Sequence, residues 1–324
     1  MLADERYAWP MRDPLTELAT VPAVPLHPAV VAARAPLAAV TADLLAVPDE
    51  ALERRWRWLP SDIDELDVRY GIYRVHERFE SAIAAITVGR GGGEGAPVGP
   101  AIPALQAMAV ARWELHGALA GLSAADWDAD PGDGEWTVRQ TLGHIISSQR
   151  AYGWFNAWFL SQGFAAGEAV RPPAGALPEE PSEDDEAVGT AAEVRARLDD
   201  VVDENIGANA PLDADALRVD ARWMGMHIPI DFRLGRYGSH IREHTVQVDK
   251  TQAMLRRQPT EVERIIRLVL GSYGRLEALF VGSTAAEAER RFPDGSSAIE
   301  HLNAAVDDAA ETVASVRESL APDA

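Results

Sequence analysis

The sequence predicts an all-α protein, and three observations favour that fold class. Apolar residues recur at three- and four-residue spacings along most of the 324 residues, as they do on the buried face of a helix. Runs that alternate apolar and polar residues, as a half-buried strand would, are missing. Clusters of proline and glycine divide the chain into segments of helical length. A chain of this length can form about two domains and bury a core without disulfides.

Eight helices are predicted from the apolar periodicity and from the residues that bound each segment. Residues 1–28 hold five prolines and are predicted to form an irregular arm. The second helix is predicted to start at Ser61-Asp-Ile-Asp64, which suits an N-cap, and the fourth at the capping-box sequence Thr137-Val-Arg-Gln140. In chain order, the predicted helices cover about 29–46, 62–88, 101–121, 137–161, 191–206, 231–257, 260–281 and 296–320.

The helices group into three predicted segments. Residues 1–95 form an arm and a helix pair, residues 101–258 a central bundle, and residues 260–324 a C-terminal helix pair. A linker with six glycines and two prolines (89–100) precedes the central segment. Within that segment, residues 164–189 are acidic and proline-rich and are predicted to form a long loop.

The two outer pairs could pack together as a second, bundle-like layer, because each needs a partner for its apolar face. A weak internal repeat supports this arrangement. Asp67-Val-Arg and Thr137-Val-Arg both follow a tryptophan-containing approach, so the N-terminal pair is a candidate degenerate copy of the central one.

The charge balance excludes several classes of protein. Lys and Arg number 30 against 51 Asp and Glu, which gives a formal net charge of −21. Nucleic-acid binders and polybasic membrane-surface proteins need the opposite sign. The N-terminus has no signal-peptide pattern, and no run of about 18 apolar residues is evident. We therefore expect a cytoplasmic protein that acts on a small molecule, with no nucleic-acid or membrane partner.

The chain contains no cysteine. Disulfide scaffolds, Cys-ligated metals and a Cys nucleophile are therefore excluded. A metal ion, if bound, must be held by histidine, carboxylate or water, and any thiol chemistry must use a thiol that arrives from outside.

Two of the eight histidines, His240 and His244, are four residues apart in a predicted helix. Residues at this spacing share a helix face, so their two imidazoles can reach one metal ion. At about 100° per residue, His244 falls just outside the apolar stripe and His240 roughly 60° beyond the same edge. The alternative is an ordinary pair of helix histidines bonded to solvent or to neighbouring side chains.

A third histidine, His144, lies in the helix predicted over 137–161. Its face carries Thr141 and Ser148, whose small side chains leave room for a metal and a substrate. Taken alone, His144 could equally be a packed core histidine.

One histidine on an earlier helix and an HxxxH on a later one resemble a known family. The sequences Trp136-Thr-Val-Arg-Gln-Thr-Leu-Gly-His144 and Ser239-His240-Ile-Arg-Glu-His244 are similar to motifs of the DinB/YfiT-like superfamily of four-helix-bundle metalloenzymes. The resemblance covers residues 101–258. About 100 residues before this region and about 65 after it have no counterpart in the resemblance.

The resemblance implies one divalent metal ion, with His144, His240 and His244 as its ligands. Three neutral imidazoles leave coordination positions open, as catalytic sites do, and Zn²⁺, Ni²⁺, Fe²⁺ and Co²⁺ all accept such ligands. Arg233 lies seven residues before His240 and could clamp a carboxylate or phosphate. Gln247 lies three residues after His244 and could bond a ligand imidazole or the substrate. Each of the two could also be a solvated helix side chain.

Three functions stay open. The superfamily includes thiol-dependent S-transferases and a mycothiol-dependent maleylpyruvate isomerase, so the resemblance implies an enzyme that activates a low-molecular-weight thiol of the mycothiol type. The second is a metal-dependent hydrolase that uses metal-bound water. The third is a metal-binding stress or interaction protein without turnover. The resemblance is compatible with a monomer or a homodimer.

Overall fold

The computed structural model describes residues 15, 18, 21–56, 66–91 and 99–320, and most of them are helical. The predicted all-α class is confirmed. The helices in chain order are α1 (Pro28–Ala32), α2 (Arg34–Leu45), α3 (Val68–Gly89), α4 (Ile102–Leu119), α5 (Ala124–Asp128), α6 (Val138–Gln162), α7 (Glu183–Glu186), α8 (Ala191–Asn209), α9 (Ala214–Leu217), α10 (Ile230–Met254), α11 (Glu261–Ala278), α12 (Ala285–Glu289) and α13 (Ala298–Leu320). The strands are β1 (Arg55–Trp56), β2 (Leu66–Asp67), β3 (Asp220–Trp223) and β4 (Met226–Pro229).

The predicted start of the second helix at 62 was wrong. Leu66 and Asp67 form β2 and pair antiparallel with β1. Helix α3 begins at Val68, because the Asp67 side chain accepts a hydrogen bond from the backbone N–H of Tyr70 and so caps the helix. The proposed cap at Ser61 lies outside the described residues.

Helices α4, α6, α8 and α10 form what we call the central bundle. The four helices pack around one apolar core. Helix α4 lies against α10, and α6 lies against α8. The core is made of fully buried aliphatic side chains, such as Leu105, Leu142, Val202 and Ile241. This packing brings the inner faces of α6 and α10 together.

Helices α2, α3, α11 and α13 form what we call the flanking bundle. Helix α13 packs on α3 and α2, and α11 packs on α3. A second apolar core joins them, with Leu37, Phe79, Ile266 and Val306 among its buried residues. The helices that precede and follow the central segment therefore share one core, while the domain boundaries stay a prediction.

The two bundles meet along α4 and α11, whose backbones approach closely. A Cβ at Gly274 would lie 2.7 Å from the Cβ of Trp113, and a Cβ at Gly117 would lie 3.1 Å from the Cα of Arg267. The contact therefore depends on glycine at 274 and leaves little room for a side chain at 117.

A hairpin of β3 and β4 leads directly into α10. Its turn uses Met224 and Gly225, both with positive φ (48° and 86°). The sequence did not predict this hairpin, because neither strand alternates buried and exposed residues. The hairpin places Arg222 and Trp223 beside α10 and α6.

One stretch, Pro28–Leu45, is long and apolar enough to cross a membrane by length and composition alone. It corresponds to α1 and α2. Its side chains Val30, Leu37, Val40 and Leu44 are buried in the core of the flanking bundle. These belong to the 28% of the stretch that is buried.

Candidate metal centre

The three histidines singled out in the sequence lie together on the inner faces of α6 and α10. One ring nitrogen from each of His144, His240 and His244 lies within 4.8 Å of those of the other two. The Nε2 atoms of His240 and His244 are 3.1 Å apart. Among the described residues, these three form the one group of metal-type ligands of this size.

Local sequence explains the position of His144. The Thr137 side chain accepts a hydrogen bond from the backbone N–H of Gln140, and the Gln140 side chain accepts one from the backbone N–H of Thr137. This capping box fixes the first residue of α6, so His144 lies about two turns into the helix. Trp136, just before the cap, lies with its ring 4.9 Å from the His144 ring and 6.3 Å from the His244 ring.

Burial of the HxxxH pair differs from the periodicity-based expectation. His240 is only 5% exposed, and His244 is half-buried. His240 is more buried than His244, although the apolar stripe predicted the opposite, because α6 covers the side of α10 on which His240 lies. The Tyr152 ring of α6 is 5.5 Å from the His240 ring. Apolar periodicity on one helix does not show where a neighbouring helix will pack.

Burial keeps the pair on α10 neutral. It lowers the pKa of His240 to about 3, and the neighbouring His244 and His144 rings lower that pKa further. Burial likewise lowers the pKa of His244. Neutral imidazoles have lone pairs free to bind a metal ion, so the protonation state suits ligation at neutral pH.

Hydrogen bonds select which nitrogen of two rings carries the lone pair. Nδ1 of His144 donates to the carboxylate of Glu183 (2.7 Å), and Nδ1 of His244 donates to the amide oxygen of Gln247 (2.7 Å). In a neutral ring, each of these bonds leaves the free lone pair on Nε2. A hydrogen-bond acceptor at the second ring nitrogen orients a metal-ligating histidine and raises its basicity as a ligand. Gln247 thus bonds a candidate ligand, which is one of the two roles expected for it.

The donor set fits a divalent transition metal. Two nitrogen ligands at about 2.1 Å from one ion lie roughly 3.0–3.4 Å apart in octahedral or tetrahedral sites. The 3.1 Å separation of the His240 and His244 Nε2 atoms falls in that range. Nδ1 of His240 is buried and has no hydrogen-bond partner among the described residues. No second bond therefore selects the metal-binding nitrogen of this ring, unlike in His144 and His244. Three imidazoles leave coordination positions open, so the arrangement resembles a catalytic site more than a structural one.

Glu183 was missed by the sequence analysis, which assigned residues 164–189 to a loop. The end of that segment forms α7, capped by Ser182 and Asp185, and it packs on α6. Gly143 permits this contact, since a Cβ there would lie 2.3 Å from the carbonyl oxygen of Glu183. The Ser182–Asp185 spacing is a capping-box signal that could have revealed the short helix.

Replacing Glu183 by alanine should weaken metal binding without abolishing it. The His144 ring would lose the acceptor that holds its Nδ1–H, and loss of such a partner typically lowers affinity by about 10- to 100-fold. Competitive titration against a chelating indicator measures the change. Glu180→Ala is the matched control, because Glu180 accepts from Ser147 and not from a histidine. Equal affinities for the two variants would contradict this role.

Arg233 lies away from the three histidines. Seven residues before His240 on α10, it is 5% exposed and faces a cavity of about 580 Å³. Tyr152 lines this cavity and also contacts His240, so cavity and histidines are neighbours. A smaller cavity of about 220 Å³ lies between the two bundles, lined by Gly117 and Arg267, apart from the histidines.

Comparison with known proteins identifies one family. A family model described as the DinB superfamily matches residues 107–321, about two thirds of the chain. The match includes all three histidines and extends through α11 into α13, beyond the region that the motif resemblance covered. No curated protein and no solved structure matches the chain.

Proposed function

Since this chain belongs to the DinB superfamily, we propose that it is a metal-dependent enzyme that activates a low-molecular-weight thiol for S-transfer or isomerisation. The observation that carries the proposal is an open set of three histidines beside a cavity large enough for a small molecule.

The proposed ligands are His144, His240 and His244, oriented by Glu183 and Gln247. A divalent ion bound there would supply the positive charge that holds a thiol sulfur as the thiolate. The chain's own part is to exclude water. The Trp136 ring packs against His144, and the Tyr152 ring packs against His240.

The absence of cysteine from the chain is consistent with a thiol that arrives as a cosubstrate. No side chain of the protein can compete with that thiol for the metal as a thiolate ligand. We therefore favour thiol activation over hydrolysis, and the proposed thiol is of the mycothiol type.

The experiment compares zinc-loaded wild-type protein with the His240→Ala variant. Mycothiol and an electrophilic fluorogenic probe such as monochlorobimane are supplied, and product formation is measured. We expect turnover in the wild type that falls at least 100-fold in the variant. His301→Gln is the matched control, because His301 lies in the flanking bundle and bonds Ser296.

Three results would overturn the proposal. Undiminished turnover in His240→Ala would exclude a role for the histidines. Hydrolysis of ester or amide substrates at an equal rate with and without thiol would favour a metal hydrolase instead. Bound metal with turnover of neither kind would leave a metal-binding protein without catalysis.

A further inference from the structure

The cavity beside the histidines has apolar walls. It lies between α6, α10, the β3–β4 hairpin and the segment that follows α6, and its volume is about 580 Å³. Tyr152, Phe155 and Phe159 line one side, and Trp223 lines the hairpin side. A cavity of this size and lining suits a small organic molecule with an aromatic or branched apolar body.

Arg233 is the buried charged group of this cavity. Its Nε donates to the Asn156 side-chain oxygen (2.5 Å), and its Nη1 donates to the backbone oxygen of Arg222 (2.8 Å). Both acceptors are neutral. The guanidinium carbon also lies 5.6–5.9 Å from the centres of the Tyr152, Phe155 and Phe159 rings. Among the described residues, no carboxylate contacts this guanidinium.

A buried cation without an anion is costly, and proteins usually pair it. Arg112, the other deeply buried arginine of the central bundle, shows the usual arrangement, with Asp203 and Glu277 as its partners. Burial lowers the pKa of Arg233, as expected of a guanidinium that lacks such a partner. An incoming anion would therefore gain a charge-assisted bond that the protein alone does not provide.

The other charged residues that line the cavity are also basic. Arg222 and Arg171 also line the cavity, and no Asp or Glu does. This is notable in a chain whose net charge is −21. Arg222 is already engaged, since its Nη1 lies 2.8 Å from Nε2 of His227 and its Nη2 donates to the Gly225 carbonyl oxygen. Arg171 is exposed, so Arg233 is the buried arginine that remains to receive a ligand.

We propose that this cavity binds the electrophilic substrate as a carboxylic acid with an apolar body, and that Arg233 holds its carboxylate. The inference rests on the proposed function, because it assigns the second substrate of the same centre. The buried guanidinium of Arg233 can offset the single charge of a carboxylate, and the aromatic rings around it favour an apolar body over a second charged group. Arg233 and His240 are seven residues apart, about 10 Å along the helix, so the reactive carbon lies several bonds from the carboxylate.

The test is a binding measurement that needs no turnover. The full-length protein is titrated calorimetrically with 3-phenylpropanoate, with its amide and with inorganic phosphate. The amide shows how much of the binding depends on the carboxylate, and phosphate shows whether any anion binds. We expect the acid to bind at least tenfold more tightly than the amide, and phosphate more weakly than the acid. Equal affinity for acid and amide, or tighter binding of phosphate, would overturn the proposal.

Variants locate the binding site. Arg233→Met should reduce affinity for the acid at least tenfold and leave the amide unchanged, while Arg242→Gln, which removes an exposed arginine of the same helix, should change neither. Ala151→Trp should fill the cavity and block both ligands, which tests the site even if the Arg233 variant fails to fold. Wild-type affinity for the acid in Ala151→Trp would overturn the proposal.

The same titration on His240→Ala separates this inference from the proposed function. Acid binding that survives in this variant supports the cavity as a site of its own, whatever the metal does. A wild-type protein that binds metal and conjugates the thiol but ignores the acid would overturn the inference alone.

Discussion

Replacing His240 with alanine should yield a protein that purifies with almost no bound metal. His240 is the most buried of the three histidines, and its ring is 4.4 Å from the His244 ring and 5.2 Å from the His144 ring. Its loss leaves two ligands on different helices, which can no longer enclose one ion. We expect metal content near one ion per chain in the wild type and affinity at least 100-fold lower in the variant.

Elemental analysis and thermal unfolding in the presence of added zinc measure this effect. A ligand that binds only the folded state stabilises it, by roughly 2.7 kcal/mol at 100 times its dissociation constant. The melting temperature of the wild type should therefore rise with zinc, and that of His240→Ala should not. His301→Gln serves again as the control. A variant that keeps stoichiometric metal would show that the three rings are not the ligand set.

Much of this centre could be predicted from the sequence because its ligands follow helical periodicity. His240 and His244 share a face by spacing alone, and the capping box at Thr137 sets where His144 falls on its helix. The two helices then had to meet, which the family resemblance implied. The spacing could not predict how deeply each histidine ring is buried, because burial depends on where the neighbouring helix packs.

The contacts that depend on chain-distant packing could not be predicted. Glu183 reaches His144 across 39 residues of sequence, from a segment whose prolines and acids indicated only a loop. The cavity around Arg233 combines α6, α10 and a hairpin whose strands do not alternate buried and exposed residues. In both cases the sequence identified a residue or a segment, and tertiary packing decided what it touches.

The proposed repeat gains local detail from the structure. Asp67 and Thr137 each cap the helix that follows, by accepting from the backbone N–H three residues on. At the position of the repeat that corresponds to His144, the flanking bundle has Arg74, which pairs with Glu77 and lies over the Tyr70 ring. An arginine is not a metal ligand, so a shared origin of the bundles, which stays a hypothesis, would include loss of this ligand.

The second large effect is expected where the two bundles meet. Glu277 of α11 is fully buried and accepts hydrogen bonds from Arg112, from the Trp113 indole (2.9 Å) and from Nε of Arg34 (2.9 Å). Arg112 is fully buried as well, and it also pairs with Asp203 (2.6 Å). The network thus joins α2 and α11 of the flanking bundle to α4 and α8 of the central bundle.

Glu277→Ala should destabilise the protein by about 3–5 kcal/mol, because it removes one carboxylate partner of the fully buried Arg112 guanidinium and the acceptor of a buried indole. For domains of this size, that loss corresponds to a melting temperature lower by roughly 6–15 °C. Glu80→Ala is the matched control. It removes the partner of Arg275, an exposed arginine on the same helix α11, and an exposed pair is worth at most about 1 kcal/mol.

Replacing both Arg112 and Glu277 shows why Glu277→Ala is destabilising. The cause is either an unpaired buried charge or the loss of packing and hydrogen bonds. In the double variant Arg112→Met, Glu277→Leu, neither the buried guanidinium nor the buried carboxylate remains in that pair, so the desolvation cost of an unpaired charge is removed. We therefore expect the double variant to be more stable than Glu277→Ala, although it carries one more substitution. If thermal unfolding shows the double variant to be the less stable of the two, the network contributes through packing and hydrogen bonds, and the junction between the bundles does not depend on paired charge.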